Sequence, residues 1–364
     1  MKLQDFLHMN EGDGEFSYSQ NSCIQKGASL MSQPMVERAI EGVLSDIGMA
    51  KKDFRVADLG CGVGPVPLGL LTMVIQYVER KCKEFDDDIV PDILVYFNDL
   101  PSNDFNFLLR NLFNLEVLKR KDGKALCFLM ATPGSYYARL FPANSLHFVH
   151  ANYSLHWLSQ TPEGLYSAEG VTLNKGNIYI SETSPENVAK AYFSQFQQDF
   201  TKFLNNRSKE VLSNGRMLLT FRGRDSLSNV TKWQPWELKI LTQSITTLIS
   251  QGLLKEEKLD AFNFPYYGPC EEEIQYIVKA DGSFEIENIN TVTQQVHGEI
   301  KNDLERAKAI SKFVRSFSES LILSHFGEDV LDLIYHNFTK LTNEHLANGE
   351  LLEHSTIIVL LKKV

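Results

Sequence analysis

One nine-residue stretch limits what this chain can fold into more than any other: Val56-Ala57-Asp58-Leu59-Gly60-Cys61-Gly62-Val63-Gly64. An apolar run ends in an acid, and three glycines follow at alternate positions. Glycine reaches backbone angles closed to other residues and has no Cβ, so such a turn can be tight and can lie close against a ligand. A strand feeding a glycine-rich turn belongs to an open α/β sheet, whose ligands sit outside the carboxyl ends of the strands. The wider stretch from Ala57 to Val78 is the most apolar of the chain. Gly60, Gly62, Gly64, Pro65, Pro67 and Gly69 interrupt it, which suits strand–turn–helix and excludes a membrane-spanning helix.

The rest of the pattern agrees. Short apolar runs recur at Arg55–Gly60, Ile93–Asp99, Ala125–Thr132, Ser145–Asn152 and Arg216–Arg222, with a further run at Phe284–Asn288 and a last one at Ser355–Leu361. A long amphipathic stretch, Pro185 to Leu212, precedes the fifth. Apolar strands alternating with helices predict a mainly parallel sheet covered on both faces. From Leu227 to Asn348 the pattern turns helical (WELKILTQSITTLISQGLL, EEEIQYIVKA, ERAKAISKFVRSFSESLILSHFG and EDVLDLIYHNFTKL), which predicts a cap over the sheet's carboxyl edge.

Charge and cysteine content narrow the function. Lys and Arg number 36 against 46 Asp and Glu, a net charge of −10. An acidic chain without a basic stripe is a poor partner for nucleic acid. Its five cysteines form no C-x-x-C pair, so zinc and disulfide frameworks are not expected, and a reducing, cytoplasmic setting is. MKLQDFLHMNEGDG has no apolar signal-peptide core, so neither secretion nor membrane attachment is expected.

Asp58 stands before the glycine turn, and a second strand ends in Asn98-Asp99 about 40 residues on. An acid at that place can accept both hydroxyls of a ribose. There is no G-x-x-x-x-G-K-S/T phosphate loop. The turn ends in Gly64-Pro65-Val66-Pro67 and not in a G-x-x-G helix start. A nucleoside without a pyrophosphate fits best, S-adenosylmethionine being the common one. The alternative is a turn that only packs a helix on the sheet.

The sequence also resembles the plant SABATH methyltransferases, which methylate carboxyl groups or ring nitrogens of small molecules. The resemblance runs over essentially the whole chain. It is carried by His8-Met9-Asn10, Ser17-Tyr18-Ser19-Gln20-Asn21-Ser22, Ala57-Asp58-Leu59-Gly60-Cys61 and Asn98-Asp99-Leu100-Pro101-Ser102-Asn103-Asp104-Phe105-Asn106. Pro133-Gly134-Ser135-Tyr136-Tyr137, Leu155-His156-Trp157-Leu158-Ser159-Gln160, Asn174-Lys175-Gly176 and Asp260-Ala261-Phe262-Asn263 complete it. It implies an α/β fold, a Rossmann-like S-adenosylmethionine-dependent methyltransferase sheet with an α-helical cap, commonly a homodimer. On that reading residues 1–30 form an arm closing over donor and acceptor, and 31–226 the core. Residues 227–348 are then a mainly helical cap with a returning strand, and 349–364 the final core strand. Donor contacts fall on Tyr18, Ser22, Asp58, Cys61, Asp99, Leu100, Ser135 and Tyr136. Where the family usually has Asn after the first Gly-Pro, this chain has Val66.

In the family's carboxyl-methylating members an arm Gln and a motif Trp hold the acceptor carboxylate, and they match Gln25 and Trp157. Both carry N–H donors suited to a carboxylate. The expected reaction is therefore esterification of a small aromatic acid of the salicylate, benzoate or anthranilate kind, with Gln25 and Trp157 as positioners and no general base. Such an acid is already ionised at neutral pH. N-methylation of a xanthine alkaloid is the alternative, and a non-catalytic binding protein, suggested only by Val66, is a third reading. Tyr153, His156, Trp236 and Tyr267 are the expected walls, His156 as an acceptor contact and not a base. The helix around Phe313 to Phe317 either adds to them or is plain core. Trp233 has no matched role. The resemblance also implies an optional, structural magnesium at Asn174, Asp260, Phe262 (carbonyl) and Asn263, an oxygen set suited to that ion. Asp86-Asp87-Asp88 is expected to be a solvated turn.

Overall fold

The computed structural model describes residues 7–47, 53–84, 91–115, 118, 127–225, 227 and 234–364. Trp233 and the Asp86-Asp87-Asp88 run lie outside them. The first half contains α1 (Tyr18–Asn21), α2 (Cys23–Ile47), β1 (Asp53–Leu59), α3 (Pro65–Glu84), β2 (Asp92–Asp99), α4 (Phe105–Phe113), β3 (Cys127–Pro133) and β4 (Leu146–Asn152). The second contains α5 (Glu186–Glu210), β5 (Val211–Gly223), α6 (Trp236–Ser250), α7 (Glu256–Asp260), α8 (Glu271–Asp281), β6 (Phe284–Gln295), α9 (Asp303–Phe326), α10 (Glu328–Ala347) and β7 (Glu353–Lys363).

The seven strands form one sheet in the order β3-β2-β1-β4-β5-β7-β6. β1 to β5 are parallel, as the apolar runs predict, whereas β7 pairs antiparallel with both β5 and β6. Strand order reverses between β1 and β4, and the crevice at such a switch point is where an open α/β sheet binds its ligand. Side chains alternate across the sheet. Phe54 and Val56 pack with α2, α3 and α4 on one face, while Ala57 and Leu59 join α5 and the cap helices on the other. The cap thus shares its core with the sheet.

The strand–turn–helix expected of Ala57–Val78 is present: Pro65 is the first residue of α3, where its missing N–H and fixed φ cost nothing. Two features differ from the sequence reading. α2 runs unbroken across residue 30, so the arm passes directly into a helix whose Ala39, Ile40 and Val43 are core. β6 continues to Gln295, well past the apolar stretch, because it is an edge strand and polar residues there meet solvent. Among the described residues, no helix is long and apolar enough to cross a membrane.

Candidate active site

The carboxyl ends of β1, β2 and β3 build one half of a deep cavity. Gly60 and Cys61 N–H groups both donate to the carbonyl of Asn98, at 2.8 and 3.0 Å, and lock the glycine turn onto β2. Gly60 sits at φ +69°, and a Cβ there would lie 2.5 Å from Cβ of Ser154. Only glycine fits. Gly62, at φ +61°, brings its N–H 2.7 Å from Oδ2 of Asp99, while Leu100 N–H donates to Oδ1 at 2.7 Å. A carboxylate has about four lone-pair sites. Two therefore remain for hydroxyls. Burial, with Asp58 adding to it, pushes the Asp99 carboxyl up to about 6.

The buried Asn98 amide donates to the carbonyls of Thr132 and Gly134, at 2.7 and 2.8 Å, which brings the β3 end alongside. Ser135, Tyr136 and Leu100 thereby reach the cavity wall, and the Tyr136 hydroxyl donates to Ser154 at 2.8 Å. From the other side the arm closes over. Asn10 N–H bonds Ser316 of α9 at 2.9 Å and Tyr18 N–H bonds Asn10 at 2.8 Å, so the Tyr18 ring lies over Gly62. Leu7, His8 and Met9 also face inward.

Not every expected donor residue lines this cavity. Asp58 and Cys61 border a smaller space beneath it, shared with Tyr18, Gln25, Gly60, Gly64, Val66, Pro67 and Asn152. Asp58 Oδ1 lies 2.8 Å from Nδ1 of the buried His150, which keeps it structural in part. Ser22 is buried against Gly64. Burial and then Asp99 raise the Cys61 thiol well above its ordinary range, so it is no nucleophile.

The second half of the cavity comes from the end of β4 and from the cap. Gln25, Tyr153, His156 and Trp157 line it, with Arg222, Glu237, Phe264, Tyr266, Phe313, Phe317 and His354. Together with the open space at its mouth, the cavity encloses about 1240 Å³. Tyr153 is held at φ +55° with its N–H on Thr220, and this left-handed residue turns the chain into the cavity. Trp157 packs on Phe264 and Phe317, at 5.6 and 6.2 Å between centroids. Phe313 and Phe317 thus serve the wall, whereas Val314 is core.

Two expected wall residues are corrected by one position. Trp157 bridges Tyr266, and side chains alternate along such a segment. Tyr266 therefore faces the cavity, while Tyr267 turns into the core and donates to Glu273 at 2.8 Å. At the start of α6, Glu237 faces in, and Trp236 lies outside the lining with its indole N–H on the Glu353 carbonyl, 3.0 Å away. Arg222, Glu237 and His354 carried no motif and were missed. A buried charge in strand β5 beside apolar neighbours was the one available hint.

His156 is buried, and its Nδ1 accepts from the Arg222 N–H at 3.2 Å. Burial and then Arg222 lower its pKa to about 3. It is therefore neutral, with the proton on Nε2, a donor and not a base.

The expected magnesium ligands gather at one corner away from this cavity. Gly176 N–H donates to Asp260 Oδ1 at 2.7 Å, and Asn174 Oδ1 already accepts from Ser184 at 2.6 Å. Asn263 Oδ1 is buried without a partner, the one atom there that a cation would serve. Asp260 is the only carboxylate in the set, so the residues fit a weak structural site at most, and no chemistry is routed through it.

A family model described as SAM-dependent carboxyl methyltransferase matches residues 4–364. The chain belongs to that family, the SABATH methyltransferases. It is 43% identical to a 3,7-dimethylxanthine N-methyltransferase of Camellia sinensis var. assamica, covering 100% of this chain and 98% of that one. It is 42% identical to a 7-methylxanthine methyltransferase of Camellia ptilophylla, covering 100% and 99%. The solved structure of a loganic acid methyltransferase with S-adenosylhomocysteine superposes with a TM-score of 0.84 at 33% identity, covering 98% of each chain. This SABATH protein is an S-adenosylmethionine-dependent methyltransferase.

Proposed function

We propose that this SABATH enzyme methylates a ring nitrogen of an uncharged, xanthine-class purine. The observation that carries the reading is the charge balance at the acceptor end. Among the described lining residues Arg222 is the only Lys or Arg, and its Nε donates to Glu237 at 3.3 Å while the other guanidinium nitrogens reach carbonyls of Gly223 and Glu353. His156 and His354 are both kept neutral, chiefly by burial. A carboxylate would thus meet no surplus positive charge there. The full-length similarity to xanthine N-methyltransferases supports the same choice.

When bound, S-adenosylmethionine supplies an electrophilic methyl group on a sulfonium. The chain's part is to hold donor and acceptor. Asp99 takes the ribose hydroxyls on its two remaining acceptor sites, Ser135 and Tyr136 flank the adenine, and Tyr18 closes over Gly62. Trp157, Phe264 and Tyr266 hold a flat ring, and the His156 Nε2–H donates to it. The acceptor nitrogen forms the new N–C bond and the S–C pair goes to sulfur. The N–H proton leaves to water at the cavity mouth. Alignment at roughly 3 Å, with water excluded from the reacting atoms, can supply many orders of magnitude.

Carboxyl methylation is the second reading. It is favoured by Gln25 and Trp157 lining the same cavity, with no described residue accepting from the Trp157 indole N–H. Labelled-donor assays on xanthine, 7-methylxanthine, salicylate, benzoate and anthranilate separate the two. N-methylated purine is the expected product. Methyl esters alone would reverse the order of the readings.

A further inference from the structure

One end of the cavity holds polar groups that the protein itself leaves unmatched. Glu237 is buried at the start of α6, and its Oε1 is engaged by Arg222 and lies 3.6 Å from Nε2 of His354. Its Oε2 has no hydrogen-bond partner. Both ring nitrogens of the buried His354 lack one, as does the Tyr266 hydroxyl. Buried polar atoms without partners are rare because each forfeits its hydration. Here the three side chains that carry such atoms, from α6, β7 and the bridge to Trp157, all belong to residues lining one cavity.

Their chemistry is specific. A carboxylate oxygen can only accept, the Tyr266 hydroxyl can donate, and a neutral imidazole does one of each. The complement is an N–H set between carbonyl oxygens, the imide edge of a ring. We propose that Glu237, with Tyr266 and His354, selects acceptors that present a free imide N–H to this end of the cavity, in addition to the nitrogen that receives the methyl group. The inference rests on the ring-nitrogen reading above. It makes a mono-methylated xanthine a better acceptor than one whose imide nitrogen is already methylated.

Calorimetry on the protein loaded with S-adenosylhomocysteine tests this with matched ligands. 7-Methylxanthine and 1,7-dimethylxanthine differ only at the imide N–H, and salicylate and 2-methoxybenzoate only at a phenolic O–H. Wild type is expected to prefer 7-methylxanthine by about fivefold or more, the effect of one net hydrogen bond. Glu237→Gln, and separately Tyr266→Phe, should shrink that preference while S-adenosylhomocysteine affinity, which also reports folding, is kept. A wild-type preference below fivefold, or one that survives in both folded variants, overturns the inference. If the acids bind and neither xanthine does, the ring-nitrogen reading fails. Glu237 is then judged by the salicylate pair under the same thresholds.

Discussion

The two halves of the cavity are made in different ways. The proposed donor half is framed mostly by backbone: the Gly62 and Leu100 N–H groups donate to the Asp99 carboxylate, the Gly134 N–H to the Asp99 carbonyl and the Gly60 N–H to the Asn98 carbonyl. The acceptor half is side chains alone, drawn from the α2 start, the β4 end, β5, α6, the Phe264–Tyr266 segment, α9 and β7. A backbone-built site tolerates few changes because its geometry is the fold. A side-chain-built site can be altered residue by residue without disturbing the sheet. One half can thus serve a shared donor while the other is re-cut for different acceptors.

The hardest break of this contrast is Gly60→Ala. Left-handed φ combined with overlap on Ser154 costs at least ~2–3 kcal/mol, on the order of 100-fold in donor Kd, and equilibrium binding of S-adenosylhomocysteine measures it. Next is Asp99→Asn, which turns a charged acceptor into a neutral amide and should weaken donor binding by roughly 10- to 100-fold. The pH dependence of the wild type checks the same group. The folded Asp99 carboxyl lies near 6, above its ordinary value of 3.8. Its protonated form therefore favours the folded state, a contribution complete below about 4 and lost as pH rises through about 6. Donor affinity needs the ionised form and runs the other way, rising from pH 4 to 6. Parallel thermal melts and donor titrations should move in opposite directions for this group, and a donor affinity flat across that window would remove Asp99 from the ribose.

Smaller effects are expected on the acceptor side. Trp157→Phe keeps an aromatic wall, smaller than the indole, and deletes one N–H. Acceptor KM should rise about fivefold for a carboxylate that takes this N–H and less for a xanthine held by stacking, with donor Kd unchanged in both. A shift in donor Kd would show that the halves are not separable. Val66→Asn restores the residue the family usually carries and should change donor Kd by less than about twofold, since Val66 is buried among Tyr18, Gln25 and Asp58 below the main cavity. A larger change would extend the donor half into that lower space.

Legibility followed the same division. All seven strands correspond to apolar runs in the sequence, and Asp99 could be singled out locally because it closes β2, whereas Ser135 and Tyr136, just past β3, entered only through the family resemblance. α2 was missed because its core face is spread among small and polar residues, with Pro34 inside it. The acceptor half was read through Trp157 and its motif, but Trp236 and Tyr267 were chosen one residue away from Glu237 and Tyr266. Aromatic character does not say which way a side chain points, and only the pairing of Trp157 with Tyr266 decides it.

By itself, then, the sequence determined the strands, their mainly parallel class and the glycine turn, because backbone geometry is set by local residue type: glycine for left-handed φ, apolar runs for buried strands. Only the tertiary structure decided the acceptor end. There Arg222, Glu237 and His354 come from positions more than a hundred residues apart at the extremes, and their meeting depends on β7 inserting between β5 and β6. No local pattern encodes that contact. It follows from packing, which sets Arg222 against Glu237 and leaves Glu237 Oε2 without a hydrogen-bond partner.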